Sequence, residues 1–285
     1  MSTYAGVVVL YNPDNDVINN IEGYLSELDK LYVVDNSENV YVTVINRIKQ
    51  LDQEKICYIC LDGNKGIACA LNFGIKCAIK DGYQWLLTMD QDSNFNNSII
   101  KVYDNFIKTH SVNNIAILSP QYKFDRDKLD NSEKEIVRIR WTMQSANLLN
   151  LKSIQDVGMF KENFFIDCVD YEYCLRARKA GYQIIRCNKA VLNHAPATTK
   201  KFCIGSFNIK YGVASPVRYY YQVRNLYWTA REYKNIYMFG FMIIKFLKIL
   251  LFFDNKKKYL QFCMQGVRDA KENRLGSYDE LYGDS

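Results

Sequence analysis

The apolar run WLLTM stops at two carboxylates, Asp90 and Asp92, with Gln91 between them, in the stretch WLLTMDQDSN at 85–94. Carboxylates this close at the exit of a buried strand repel one another unless a positive charge stands between them. A hard cation with oxygen ligands suits them, and Mg²⁺ or Mn²⁺ carrying a diphosphate is the chemistry the spacing points to. A solvated Asp/Ser/Asn turn is the plainer reading of the same residues. The motif therefore gains weight only from companions.

A second acidic cluster lies in FFIDCVDYEYCLRARKAGYQII, where Asp167, Asp170 and Glu172 precede a helix expected to end before Gly181. Carboxylates at a helix N-terminus are stabilised as anions. If the chain is already helical there, Asp167 and Asp170 share a face and Glu172 projects elsewhere. One of them can act as a general base. Acidic capping, with Arg176, Arg178 and Lys179 complementing the far end of the helix dipole, explains the same charge order without catalysis. His194, in VLNHAP after the strand-like QIIRCNKAVL, is a candidate third metal ligand that would favour Mn²⁺ over Mg²⁺, or else a structural histidine. His110, the only other histidine, ends an apparent surface helix and is given no role.

The elements that must position these residues follow a βαβ rhythm. Strand-like runs are expected at Tyr4–Leu10, Leu31–Val34, Ile56–Leu61, Trp85–Met89 and Ile115–Leu118, rich in β-branched and aromatic residues. Between them Asp14–Leu28, Val40–Leu51, Gly66–Lys80 and Asn96–Thr109 carry helix-compatible periodicity, which implies an α/β sheet with right-handed crossovers. Ligands in such sheets bind beyond the carboxyl ends of the strands. Those ends carry Tyr11-Asn12-Pro13, Asp35-Asn36-Ser37, Asp62-Gly63-Asn64-Lys65-Gly66 and Asp90-Gln91-Asp92-Ser93, so polar groups converge on one rim. GNKGIACALN opens a helix whose first N–H groups can receive a phosphate, or it is a plain helix start. Asp35 can accept hydrogen bonds from a base or ribose, or cap its own turn.

Composition sets outer limits. A chain of 285 residues with 48% hydrophobic and 24% charged content suits one large domain plus an appendage. The balance of 37 basic and 31 acidic residues gives +6, a mild bias toward anionic small molecules or a membrane surface rather than a dedicated nucleic-acid binder. Nine scattered cysteines and an N-terminus without a charged-then-apolar leader favour a reducing cytoplasm. Cys57 and Cys60 sit inside a strand-like run with no second pair nearby, and are expected to be buried structural thiols.

Taken in order, VVVLYN, VVDNS, GNKGIACALN, LLTMDQDS and FFIDCVDYEYCLRARKAGY resemble the inverting GT-A nucleotide-sugar glycosyltransferases of family two, over roughly residues 4–195. Within it, TMDQDS, FIDCVDYEYCLR and RYYYQVRNLYW most resemble bacterial rhamnosyltransferases that use dTDP-L-rhamnose to build surface polysaccharides. The resemblance implies that Asp35 helps hold the nucleotide base, that Asp90 lies near the ribose and sugar, and that Asp92 binds the metal bridging the diphosphate. It places Tyr11, Asn12, Asn64, Gly66 and Gln91 in the same donor pocket. The family's base motif is Glu-Asp before a Cys-Leu-Arg-like helix. Aligning on Cys174-Leu175-Arg176 puts its Asp on Asp170, with Val169 in place of the Glu and Asp167 left as a competitor. The implied acceptor is a glycan or a polyprenyl-linked glycan.

Beyond residue 200 the expected region is a helical appendage, dividing the chain into a GT-A domain at 1–200 and a C-terminal part at 201–285. The apolar stretch Ile236–Phe253 approaches spanning length, but Lys245 and Lys248 near its centre are costly in a single span. With Lys256, Lys257 and Lys258 just after it, the helix is expected either to lie in an anionic interface on the inner face of the plasma membrane or to pack on the domain or a second subunit with its lysines snorkelling. Two rival functions are a sugar-phosphate nucleotidyltransferase and a non-catalytic glycan or membrane scaffold. LYNPDND stands where the first would carry a Gly-rich, Arg-containing loop, and the second would not need Asp90, Asp92 and Asp170 together.

Overall fold

A computed structural model describes residues 3–95, 98–123, 134–193, 199–204 and 207–283. The chain divides into two compact units, residues 1–160 with 173–195 and residues 161–172 with 196–285.

The first unit begins with alternating strands and helices: β1 (Tyr4–Leu10), α1 (Asp16–Leu25), β2 (Lys30–Asp35), α2 (Val42–Leu51), β3 (Ile56–Cys60), α3 (Ile67–Lys80), β4 (Trp85–Asp90) and α4 (Ile99–Thr109). The expected rhythm is the one observed. β1, YAGVVVL, is buried along its whole length, as a parallel strand covered on both faces must be. α1 and α4 present Ile18, Ile21 and Tyr24, and Ile99, Tyr103 and Phe106, to that core at helical spacing. Gly74 brings α3 onto β1, since a Cβ there would stand 2.3 Å from Val7 Cγ2.

β5 (Ile115–Lys123), β6 (Ile136–Ile139), β7 (Asn147–Asn150), α5 (Leu151–Val157), α6 (Val169–Lys179) and β8 (Gln183–Asn193) follow. The described strands form an eight-stranded sheet in the order β3-β2-β1-β4-β7-β5-β8-β6. The β1/β2, β1/β4, β2/β3 and β5/β8 pairs are parallel. β7 runs antiparallel to both β4 and β5, and β6 antiparallel to β8. Sequence periodicity does not foresee β6 and β7, because four residues are too few to display a period. Cys57 and Cys60 lie on β3 at the sheet edge as free, half-buried thiols, less enclosed than expected.

The second unit opens, after a short 3-10 turn at Glu162–Phe164, with β9 (Thr199–Ile204) and β10 (Phe207–Gly212) as an antiparallel ribbon. The region expected to be purely helical thus also carries a strand pair. α7 (Pro216–Glu232), α8 (Ile236–Phe252), α9 (Lys256–Lys271) and α10 (Tyr278–Tyr282) follow. Their starts are written locally: the Ser215, Asn235, Asn255 and Ser277 side chains accept the first free backbone N–H groups, and Pro216 follows Ser215 directly. Gly266 lets α9 press on α7, where a Cβ would meet the Tyr220 carbonyl at 2.6 Å. No described helix is long and apolar enough to cross a membrane.

Candidate active site

In the first unit the parallel strands β3, β2, β1 and β4 end on one edge. Register fixes the neighbours: Leu10 lies opposite Asp35, Val9 opposite Asp90, and Asp35 opposite Cys60. The loops carrying Tyr11, Asn12, Asp35, Asn64, Gly66, Asp90, Gln91 and Asp92 therefore share a rim.

Hydrogen bonds knit that rim together. The Asp35 carboxylate is fully buried and accepts from the Ser37 amide at 3.0 Å and the Tyr58 hydroxyl at 2.8 Å. Burial, then the bond to Asp35, pushes the Tyr58 phenol well up from its ordinary value. Ser37 Oγ accepts the Asn12 amide at 2.8 Å, and Asn36 bridges to Asn64 at 3.1 Å and to the Lys65 amide at 2.8 Å. Gly66 has φ +84°, a left-handed geometry suited to glycine, and begins α3 without a side-chain cap. The first N–H groups of α3 thus start at the edge where the β3 loop ends. Gln91 grips the Tyr11 backbone from β4, and the Asp90 amide donates to Ser145 Oγ at 3.1 Å. The Tyr11 hydroxyl donates to Glu38 at 3.2 Å.

Asp92 is exposed, and its carboxylate has no hydrogen-bond or ion-pair partner among the described residues, while Asp90 is half-buried. Among the described residues no group of three or more His, Cys, Asp or Glu is placed to hold a metal ion. The donor set fits a hard cation that brings its other ligands with it, as Mg²⁺ does when bound by one or two carboxylates and a substrate's phosphates. His194 lies outside the described residues. The other histidine, His110, stacks on Phe106 at 4.4 Å beside the amino ends of β5 and β8, the edge opposite the acidic rim.

In the second unit the acidic loop is strained and strongly held. Phe165, Asp167 and Cys168 all have φ +65°, a conformation that side-chain-bearing residues rarely adopt. Helix α6 starts only at Val169, so Asp170 lies in its first turn and Asp167 lies outside it. The two do not share a helical face. Asp167 pairs with Arg218 at 3.1 Å and accepts from Gln222 at 3.4 Å. Asp170 is half-buried and accepts the Tyr171 amide at 2.8 Å. Glu172 is buried and accepts the Tyr233 hydroxyl at 2.6 Å, a structural bond.

Two residues that sequence reasoning left in the appendage hold this loop. Arg224 and Asn225, both fully buried on α7, donate to its carbonyls: Arg224 to Phe164 at 2.9 Å, and Asn225 to Phe164, Ile166 and Asp167 at 3.0, 2.8 and 2.9 Å. Two adjacent polar residues inside the aromatic RYYYQVRNLYW helix were the available signal. Arg176, expected to complement the dipole of its own helix, donates instead to the carbonyls of Val157 and Met159 at 2.8 and 2.7 Å.

Residues 7–167 match the model of glycosyl transferase family 2. The chain is 31% identical over 253 residues to the dTDP-rhamnosyl transferase RfbF of Shigella flexneri, covering 81% of each protein. It is 21% identical to the low-salt glycan biosynthesis hexosyltransferase Agl10 of Haloferax volcanii, covering 96% of this chain and 93% of that one. Among solved structures it resembles GalNAc-T7 with UDP, GalNAc and Mn²⁺ at a TM-score of 0.60 and 11% identity, over 95% of this chain and 56% of the other. It also resembles residues 1–349 of S. aureus TarS at a TM-score of 0.51 and 13% identity, over 99% and 74%. At such identities the structural likeness is one of fold, a GT-A-like sheet with helices after it. The chain spans little more than half the length of the GalNAc-T7 chain.

Proposed function

This chain belongs to glycosyl transferase family 2, and from that premise we propose that it transfers L-rhamnose from dTDP-L-rhamnose, with inversion, to a glycan acceptor in cell-surface polysaccharide synthesis. The observation that carries the donor half is the register that aligns the Asp35 and Asp90 loops on one edge. The sugar rests on the likeness to RfbF.

In this reading the nucleotide lies among Tyr11, Asn12, Asn64 and Gly66, and Asp35 serves the base chiefly by fixing the Asn36–Ser37 loop. Asp90 meets the ribose and sugar, and Gln91 holds Tyr11 in place. Asp92, with His194 as a second candidate ligand, would hold Mg²⁺ or Mn²⁺. Such a cation supplies charge neutralisation for the departing diphosphate. Asp170 is the base: it takes the proton of the acceptor hydroxyl as that oxygen bonds the anomeric carbon and the bond to the diphosphate breaks. Opposite-face attack inverts the centre. Asp170's place in the first turn of α6, with Asp167 outside the helix, supports Asp170 over its neighbour.

The acceptor is a glycan or a polyprenyl-linked glycan, and the protein works peripherally on the inner face of the plasma membrane, as a monomer or homo-oligomer. The test is a panel of nucleotide sugars with Mg²⁺ or Mn²⁺. dTDP-L-rhamnose should raise the melting temperature most, because ligand at about a hundred times Kd adds about 2.7 kcal/mol. Release of dTDP should then depend on added glycan acceptor. Stabilisation by a different nucleotide sugar alone would replace the donor assignment, and pyrophosphate formation from a sugar phosphate would replace the reaction.

A further inference from the structure

Helix α8 is oriented against the usual rule, with its cations turned in and its leucines turned out. Lys245 and Lys248 are half-buried. Lys245 Nζ lies 5.7 Å from the Tyr219 ring centroid, and Lys248 Nζ lies 5.8 Å from that of Tyr211 and 5.9 Å from that of Phe253. Lys248 also donates to the Gly212 carbonyl. Met238, Met242 and Ile249 are buried. The other side carries Ile236, Ile243, Ile244, Leu247, Leu250 and Leu251, each between 47% and 78% exposed. A single exposed leucine is ordinary, whereas a continuous stripe marks a surface that something covers. The sequence left open whether these lysines face an anionic interface or snorkel inward, and the structure turns both inward.

Two further features choose the cover. α8 contains no acidic residue, and after Phe253, Asp254 and Asn255 the exposed Lys256, Lys257 and Lys258 open the next helix. A stripe of aliphatic side chains ending in a cationic cluster complements acyl chains below anionic headgroups. A second copy would bring the same net positive charge to that end of the stripe, one Asp254 against three lysines. At 1.5 Å per residue the helix is about 25 Å long, short of the roughly 30 Å hydrocarbon core, so it lies along a bilayer rather than through it.

We infer that the outward face of α8 beds into the surface of an anionic bilayer, with Lys256, Lys257 and Lys258 against the headgroup phosphates. This deepens the membrane part of the function proposed above and does not rest on the catalytic assignment.

The test is co-sedimentation of the full chain with vesicles of phosphatidylcholine alone or mixed with phosphatidylglycerol. Binding should require phosphatidylglycerol and weaken as salt is added. Leu247→Glu with Leu251→Glu, both at exposed positions, should lower the partition coefficient at least about ten-fold with an unchanged melting temperature. Changing Lys256, Lys257 and Lys258 to Gln should lower it by about five-fold per lysine on anionic vesicles only. Absence of binding to phosphatidylglycerol vesicles at low salt overturns the inference. So does a wild-type dimer that the two glutamates split, which would give the stripe to a second copy. Transfer to a water-soluble acceptor, measured on the same variants, separates the two readings: intact transfer without vesicle binding sinks this one alone, and vesicle binding without rhamnosyl transfer sinks only the other.

Discussion

Gln91 clasps Tyr11 at two points, accepting its amide proton on Oε1 at 2.8 Å and donating from Nε2 to its carbonyl at 3.1 Å. The clasp ties the exit of β1 to the exit of β4. Gln91→Glu keeps the size but sets a carboxylate oxygen against the Tyr11 carbonyl. At about 1–2 kcal/mol for the lost bond and the new repulsion, the melting temperature should fall by a few degrees, and dTDP affinity measured by calorimetry should fall with it as the β1 exit loosens. Unchanged affinity would remove the clasp from donor binding.

Asp170→Asn keeps the bond from the Tyr171 amide but cannot take a proton. Turnover should drop at least about 10²-fold with donor affinity retained. Asp167→Asn weakens the pair with Arg218 and should cost far less. The reverse ranking in steady-state kinetics would move the base to Asp167.

Removal of the cation should imitate loss of Asp92. Asp92→Asn is expected to abolish transfer while leaving the circular dichroism spectrum and melting temperature unchanged, since Asp92 is exposed. Excess chelator should do the same to the wild type. Full transfer in chelator would eliminate the metal.

Asn225→Ala removes two N–H donors shared among three neighbouring carbonyls and the acceptor of the Arg224 Nε bond, and should destabilise the protein by about 3 kcal/mol in urea unfolding, at about 1 kcal/mol per lost bond. The gentler Arg218→Lys leaves the fold intact and loosens only Asp167. If Asn225→Ala unfolds at the wild-type midpoint, the loop is held by something else.

Burial pushes the Tyr24, Tyr103 and Tyr173 phenols above the ordinary 10.0. Their contribution is complete below the unfolded value and is lost once the unfolded chain ionises while the folded one keeps its protons. The urea midpoint should therefore hold steady through neutral pH and fall above about pH 10. A midpoint that stays level there would mean these hydroxyls are accessible.

The donor half was open to reading because its signals are local. Alternating apolar runs and helical periods locate β1 to β5 and α1 to α4 within a few residues, and parallel pairing then carries Asp35, Asp90 and Asp92 to one edge. The acidic loop was harder. Whether Asp167 joins Asp170 on one helical face depends on three left-handed residues that nothing in FFIDCVDYE announces. Arg224 and Asn225 looked like an ordinary polar stretch of a helix, because their partners lie about 60 positions earlier in the chain. For α8 the helix was legible but its orientation was not: lysine stems are apolar enough to turn inward, so composition could not say which face met water.

The bilayer docking inferred for α8 would change what concentration means for this enzyme. A protein that skims a lipid sheet meets a lipid-borne acceptor by two-dimensional diffusion, so its rate tracks acceptors per unit area of membrane rather than per litre. Diluting the same acceptor into more bilayer would slow it at constant bulk concentration, and gathering acceptor into patches would speed it with no change in any bond at the rim.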